Sequence, residues 1–352
     1  MSCPSENSLE QLNSLDGYRR YFMDASYWQP YVRRVYNRHA MTPCRTIRSG
    51  LPGTYPTFVV DERWVIKFFG RLFDGALAFE TELQANQLLA PGCPIPIPAL
   101  IASGYLFEDP SDWPWPYLIF EFMPGVSIGQ VYEQVTFDDK LMLAQHLGQV
   151  TRRLHQVPIT GTAVFQPTWD AYFNLLQEQR TRCKHTHRTW KTLPDHLIEQ
   201  LDTFLLPPDA LIDRGVTPHL IHADLTRDHI LGQLDDGSWT TLGIIDFGDA
   251  MVGNVFYELI ALHLDLFRCD KRLLSVYLDA YGFDEPSRPM LPTRAMSLAL
   301  LHRFDVFVGL FESYPRAGEV STLDQLAALL WDVNTPGLDD KPAHERKGRG
   351  GE

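Results

Sequence analysis

Acidic residues and two histidines crowd one stretch of the chain, Leu220 to Ala250, and their types limit the chemistry open to it. His222-Ala223-Asp224 and then Asp228-His229 follow the apolar run Leu220-Ile221. Asp246-Phe247-Gly248-Asp249 follows the run Leu242-Gly243-Ile244-Ile245. Both runs are β-rich, and Asp235-Asp236-Gly237-Ser238 between them is a hairpin turn signal. A turn there carries the two acidic groups to the same end of a small sheet. Carboxylates gathered in one place repel and call for a cation. Mg²⁺ suits them, because it takes oxygen ligands and commonly carries phosphates. One carboxylate can stay free to take a proton from a hydroxyl.

The spacing sharpens this reading. Kinases place a metal-binding residue five positions after the catalytic Asp and a second metal-binding Asp in Asp-Phe-Gly. Here His229 stands five positions after Asp224, and Asp246-Phe247-Gly248 follows. The stretch resembles the aminoglycoside phosphotransferase and choline kinase-like family, whose consensus is close to HGDLxxxNxL followed by IDFGDA. Two positions depart from it: Ala223 replaces Gly, and His229 replaces Asn. The members that modify the 2″ hydroxyl of aminoglycosides also carry His there, so the departure points to that subgroup. The resemblance implies an α+β, bilobal, protein-kinase-like fold with an antiparallel N-lobe sheet plus helix and a mostly helical C-lobe. It also implies Asp224 as the base, His229 and Asp246 as Mg²⁺ ligands, and ATP or GTP as co-substrate. An imidazole is a softer ligand than an amide oxygen, so Mn²⁺ should be tolerated as well.

Other elements must present phosphates and base to these residues. Thr46 to Val60 reads as strand, glycine turn and strand, with Gly50 and Gly53 letting backbone amides approach phosphate oxygens. It is neither a Walker A loop nor a GxGxxG. Trp64-Val65-Ile66-Lys67-Phe68-Phe69 is a buried strand carrying one Lys, which is costly unless paired. The kinase strand ending in Ile-Lys explains it: the Lys67 amine holds α and β phosphates. Its acidic partner should come from the helix around Phe79 to Leu89, with Glu82 matching the family position and Glu80 the alternate. Pro91 to Pro98 forms a rigid connector. Trp115 to Gly125 resembles the family hinge, where backbone around Glu121 and Met123 would meet the base; Phe120 gates the space behind it. ATP versus GTP stays open.

The 352 residues suffice for two lobes. We expect a loose N-terminus over 1–16, an N-lobe over 17–123, a C-lobe over 124–336 and a disordered tail over 337–352. Aromatic residues at helical spacing between Asp16 and Ala40 predict one or two helices packed on the N-lobe. Helices are expected at Leu141–Leu154, Trp169–Arg180, Leu193–Leu206, Tyr257–Phe267, Lys271–Tyr281, Arg294–Tyr314 and Leu323–Trp331. The basic run Arg180 to Arg188 reads as a solvated face or loop. His155 reads as structural. Glu258 stands where the family has Asp and would steady the catalytic loop. Asp265, Asp279, Asp305 and Glu312 are candidates for an acceptor cleft.

Thirty-one basic against 44 acidic residues give a net charge of −13, which argues against nucleic acid and anionic membrane as partners. It is compatible with a cationic small-molecule acceptor. The five cysteines are scattered without CxxC spacing and read as reduced thiols, so a cytoplasmic location is expected. Met1 to Glu6 shows no export signal, and no window has the apolar length of a membrane helix. The expected function is therefore a small-molecule kinase acting on a hydroxyl of an aminoglycoside-like or other metabolite. The alternative is a catalytically silent nucleotide-binding regulator; intact Lys67, Asp224 and Asp246 speak against it. A protein kinase is disfavoured by the short path from Asp246 to Gly253. Acceptor, regiochemistry and oligomeric state are not encoded legibly.

Overall fold

The computed structural model describes residues 9–41, 44–89, 95–107, 113–283 and 289–334. Cys3, Cys93, part of the proline connector and the tail over 337–352 lie outside the described residues. In chain order the first half forms α1 (Leu15–Tyr21), α2 (Ala25–Arg38), β1 (Ile47–Ser49), β2 (Thr57–Val60), β3 (Trp64–Phe68), α3 (Gly75–Leu88), β4 (Leu100–Tyr105), β5 (Pro116–Glu121), β6 (Val126–Ser127), α4 (Ile128–Val131) and α5 (Phe137–Leu154). The second half forms α6 (Asp170–Trp190), the single turns α7 (Asp195–Ile198), α8 (Leu201–Phe204) and α9 (Pro208–Leu211), β7 (His219–Ile221), β8 (Ile230–Asp235), β9 (Ser238–Ile244), β10 (Met251–Gly253), α10 (Val255–Ala261), α11 (Lys271–Tyr281), α12 (Leu291–Leu300), α13 (Leu310–Ser313) and α14 (Leu323–Trp331). The fold is α+β, as the sequence predicts.

The chain divides into two compact units. The first comprises Met1–Tyr132, Val157–Gln166 and Asp228–Met251. Its main sheet is antiparallel with strand order β1-β2-β3-β5-β4. Lys67 on β3 pairs with Thr57 on one side and Leu118 on the other, so it sits in the middle of the sheet. One face of the sheet is covered by the aromatic residues of α1 and α2. Trp28 stacks on Phe68 at 4.7 Å between ring centroids and meets Phe58 at 5.6 Å. Asp24 caps α2 by accepting from the Ser26 and Tyr27 amides, which fixes where this layer begins. From Leu9 onward the chain departs from the expectation of a loose segment over 1–16; residues 1–8 lie outside the described residues. A 3₁₀ turn spans Glu10–Asn13, with Leu9 and Leu12 buried in the same aromatic core.

A second, three-stranded sheet in this unit has the order β6-β8-β9. Asp236 and Gly237 take φ of 49° and 82°, the left-handed pair that a two-residue hairpin requires. The hairpin pairs Ile230 with Ile244 and Asp235 with Ser238. Its place in this unit differs from the division expected at 123/124. The Ile244 amide donates to the Pro96 carbonyl at 2.8 Å, and β6 leaves the hinge to pair with β8, so the hairpin is bonded to the segments flanking the hinge.

The second unit comprises Glu133–Gln156, Pro167–Arg227 and Val252–Glu352 and is mostly helical. The α5 and α11 helices pack closely at Gly148, where an added Cβ would lie 2.5 Å from the Tyr277 carbonyl oxygen. Thr151 and Tyr277 hydroxyls bond at 2.7 Å beside it. The basic run 180–188 is not a loop: it lies inside α6. Cys183 and His187 are buried there, with His187 Nε2 bonded to the Leu300 carbonyl at 2.9 Å, while Lys184 and Arg188 pair with Glu199 on the outer side. A 3.6-residue period puts both behaviours in one run. Two predicted helices are shorter than expected. Residues 193–206 give only α7 and α8, and the Arg294–Tyr314 region breaks after α12.

Candidate active site

The first unit holds a cavity of about 340 Å³. Gly50, Gly53, Lys67, Glu82, His229 and Asp246 are among the residues lining it, as are Glu121 and Met123 of the hinge. Every site residue expected from the sequence except Asp224 therefore borders one space. Asp224 belongs to the second unit and is described with it.

The centre of the cavity is an ion cluster. Lys67 Nζ lies 2.8 Å from Glu82 Oε2 and 2.8 Å from Asp246 Oδ1. Glu82 rather than Glu80 is the partner; Glu80 accepts from the Gln84 side chain instead. Lys67 and Glu82 side chains are 8% and 4% exposed, while Asp246 is 32% exposed and so is the cluster's open end. Burial alone would push the Lys67 amine down, but the charges of Asp246 and Glu82 outweigh it and hold it above its ordinary value. Burial pushes the Glu82 carboxyl up to about 7, against the pull of Lys67. One ammonium thus serves two carboxylates, and the less buried Asp246 is the one placed to deal with a second cation. Asp246 holds φ 67°, ψ 71°, a left-handed conformation that costs a non-glycine residue energy and marks functional positions.

His229 reaches the same point from the other strand of the hairpin. The Ile245 amide donates to the His229 carbonyl at 3.0 Å, so pairing of the strand ends sets the two residues side by side. His229 Nε2 lies 3.9 Å from Asp246 Oδ2. A carboxylate oxygen and an imidazole nitrogen, both partly exposed, fit a divalent cation that keeps most of its shell as water and phosphate oxygen. Among the described residues no cluster of three or more His, Cys, Asp or Glu side chains is placed to hold a metal by itself.

The glycine turn and the hinge close the cavity. The Gly50 amide donates to the Thr57 carbonyl at 2.7 Å, and the Tyr18 hydroxyl donates to the Thr54 carbonyl at 2.6 Å. In the hinge, the Glu121 amide is used by Ala99 and the Phe122 amide by Arg63. Gly125 turns the chain at φ 119°, which only glycine adopts readily. Met123 lies over Gly243: a Cβ there would come within 2.5 Å of Met123 Cε and 2.7 Å of the Pro96 carbonyl oxygen. Sequence reasoning missed Gly243, although a glycine inside a strand signals such a close approach.

In the second unit, Asp224 sits on a loop whose backbone is held by buried carboxylate and histidine. Glu258 Oε2 accepts from the His222 amide at 2.6 Å and the Ala223 amide at 3.4 Å. Burial would raise the Glu258 carboxyl, but His155 beside it, His222 and the Ala223 amide together hold it below its ordinary value. His155 Nδ1 and the Tyr281 hydroxyl bond at 2.9 Å, so this histidine is tied into the core. The Asp224 amide donates to His222 Nδ1 at 3.3 Å. Ala223 has φ 65°, a left-handed conformation that glycine adopts more readily than alanine. Of the other acids named above, Asp305 accepts from Thr192 Oγ1 and the Phe307 amide. Asp265 accepts from the Arg227 amide at 2.8 Å.

A central Lys on an antiparallel sheet, its helix Glu, an Asp-Phe-Gly turn and a separate Asp loop define a kinase-like fold. Residues 50–291 match the phosphotransferase enzyme family, and the chain belongs to it. Among solved structures, the GDP and kanamycin complex of the aminoglycoside phosphotransferase APH(2″)-IIIa superposes with a TM-score of 0.60 at 22% identity, covering 86% of this chain and 98% of that one. A microcompartment-associated aminopropanol kinase does so with a TM-score of 0.50 at 19% identity, covering 85% and 94%. At such identities the likeness is one of fold. A lysine-specific demethylase of Arabidopsis thaliana, JMJ21, is 24% identical over 62% of this chain. This chain spans 29% of that relative's length. No helix among the described residues is long and apolar enough to cross a membrane.

Proposed function

We propose that this chain transfers the γ-phosphate of ATP or GTP to a hydroxyl of a small molecule. The observation that carries the reading is the buried Lys67–Glu82–Asp246 cluster at the wall of the cavity. A lysine held this firmly is a fixed positive charge for phosphate oxygens, and Glu82 keeps it from turning toward solvent. The Glu121 and Phe122 amides are already used, so base recognition falls to the Glu121 carbonyl and the Met123 amide. Asp246 and His229 would hold Mg²⁺. When bound, that ion neutralises charge on the phosphates. Asp224 orients the acceptor hydroxyl and takes its proton. The transition state of such transfers is loose, so positioning and charge supply most of the rate.

An acceptor with amino groups accords with the net charge of −13 and with the His at 229. Aminoglycosides and small amino alcohols, the classes named for two of the structural relatives, are the first to try. The test is nucleotide consumption by purified protein with Mg²⁺, ATP or GTP and a panel of both classes, beside Asp224→Asn. Consumption raised by one acceptor and abolished in the variant supports the reading. Nucleotide binding without turnover on any acceptor, identical in both proteins, overturns it in favour of a silent regulator.

A further inference from the structure

The helix that begins with α10 does not continue regularly. Residues Leu262–Leu266 form a π turn, and the Phe267 amide returns to the Leu262 carbonyl at 2.9 Å. Such turns are rare overall and frequent at functional sites. The residue carried by this one is Asp265. In an α-helix, seven residues bring a side chain almost back in line about 10 Å further along the axis, so Asp265 follows Glu258 two turns on. Within the wider turn it meets the far end of the Asp224 loop. There Oδ1 accepts from the Arg227 amide at 2.8 Å, and Oδ2 lies 3.6 Å from Arg227 Nε.

We propose that Asp265 is a positioning residue for phosphoryl transfer: it fixes the segment between Asp224 and His229 by holding Arg227 at backbone and side chain. The proposal rests on the function proposed above. Three facts carry it. First, one helix clamps the loop at both ends, with Glu258 on the amides of His222 and Ala223 and Asp265 on that of Arg227. Second, the turn that presents Asp265 is itself anchored. Buried His263 donates through Nε2–H to the Leu330 carbonyl at 2.8 Å, and its ring packs on Trp331 at 4.6 Å. Third, the exit from the turn is strained. Arg268 and Cys269 take φ of 49° and 62° in succession, and the Cys269 amide bonds the His263 carbonyl at 2.9 Å. Two adjacent non-glycine residues in this region persist only where the surroundings over-determine them. Between the clamps, the Thr226 amide closes on the Asp224 carbonyl at 2.9 Å. A shift at Arg227 therefore reaches Asp224 through a tight turn rather than being absorbed by slack chain.

The test compares full-length wild type with Asp265→Ala and Asp265→Asn. Turnover is measured with Mg²⁺, the nucleotide and whichever panel acceptor is active; amide hydrogen exchange is followed over 222–229. In Asp265→Ala we expect kcat to fall roughly tenfold or more, as sub-ångström misplacement of a reacting group does. KM for nucleotide and acceptor should move less than about threefold, because binding groups are untouched. Asp265→Asn keeps an oxygen for the Arg227 amide and should regain most of kcat. Exchange at Arg227 should quicken roughly tenfold in Asp265→Ala alone. Unchanged kcat, or a loss confined to KM, overturns the proposal. So does unchanged exchange at Arg227. If wild type turns over no acceptor, the proposed function fails separately, and the exchange comparison still decides whether Asp265 holds the loop.

Discussion

Replacing Glu258 gives the most exacting check on how the Asp224 loop is held. Glu258 is fully buried and supplies one oxygen to two backbone amides. In Glu258→Ala both amides lose that acceptor inside the protein. Each such loss costs roughly 1–3 kcal/mol, so about 4 kcal/mol is expected for the pair. Against a total of ~5–15 kcal/mol, that is a large share. Glu258→Gln keeps an acceptor oxygen and loses only the charge. Hydrogen bonds to charged groups are worth ~1.5–3 kcal/mol and neutral ones ~1, so the cost should be about 1 kcal/mol. The two variants are compared with wild type by urea unfolding across pH. The sign follows from the carboxyl being held below its ordinary value of 4.5. Its contribution is present above that pH and is lost as pH falls through the folded value. The gap between wild type and Glu258→Gln should thus be full at neutral pH and shrink in acid. Equal stability of the Ala and Gln variants, or a gap that widens in acid, would refute the reasoning.

Gly243→Ala should raise KM for nucleotide several-fold with little change in kcat, since the new methyl displaces Met123 and presses on Pro96; an unaltered KM would show that Met123 is not part of base recognition. His263, buried and neutral, is pushed by burial down to about 4. Stability should therefore be complete above about 6.5 and fall towards pH 4, by roughly 3 kcal/mol from this group. His263→Gln should flatten that part of the profile in denaturant titrations. His229→Asn should lower the ratio of Mn²⁺- to Mg²⁺-supported turnover, because an amide oxygen is the harder ligand; an unchanged ratio in a metal-substitution assay would count against His229 as a ligand.

Much of this architecture is legible in the chain because its signals are local. Asp236-Gly237 dictates a hairpin turn, and the apolar runs on either side set a register that brings His229 and Asp246 together. A lone lysine in an apolar strand announces its own partner. Other features depend on residues far apart in sequence. The split of Glu80 from Glu82 follows from which face of α3 meets β3. The helical basic run 180–188 could not be told from a loop, because its buried His187 and Cys183 are only recognisable once Leu300 is in place. The break after α12 follows no proline or glycine signal at Leu301. Nor does any residue type in Leu262–Leu266 betray a π turn, so in the sequence Asp265 stands only as one of four acceptor-cleft candidates.

The family match begins at residue 50, yet the sheet it describes is not self-sufficient. Trp28, Tyr31, Val32 and Tyr36 lie wholly or almost wholly buried against it, and Tyr18 and Ser49 tie the glycine turn and β1 to α1 and the residues after it. The boundary of the family match and the folding boundary are thus different places. A fragment cut to the matched region would bare a broad aromatic face of β2, β3 and β5, the kind of surface that drives chains to associate. Its failure to bind nucleotide would report on lost cover rather than on the site. Residues 9–41 belong to the binding machinery in the sense that a lintel belongs to a door.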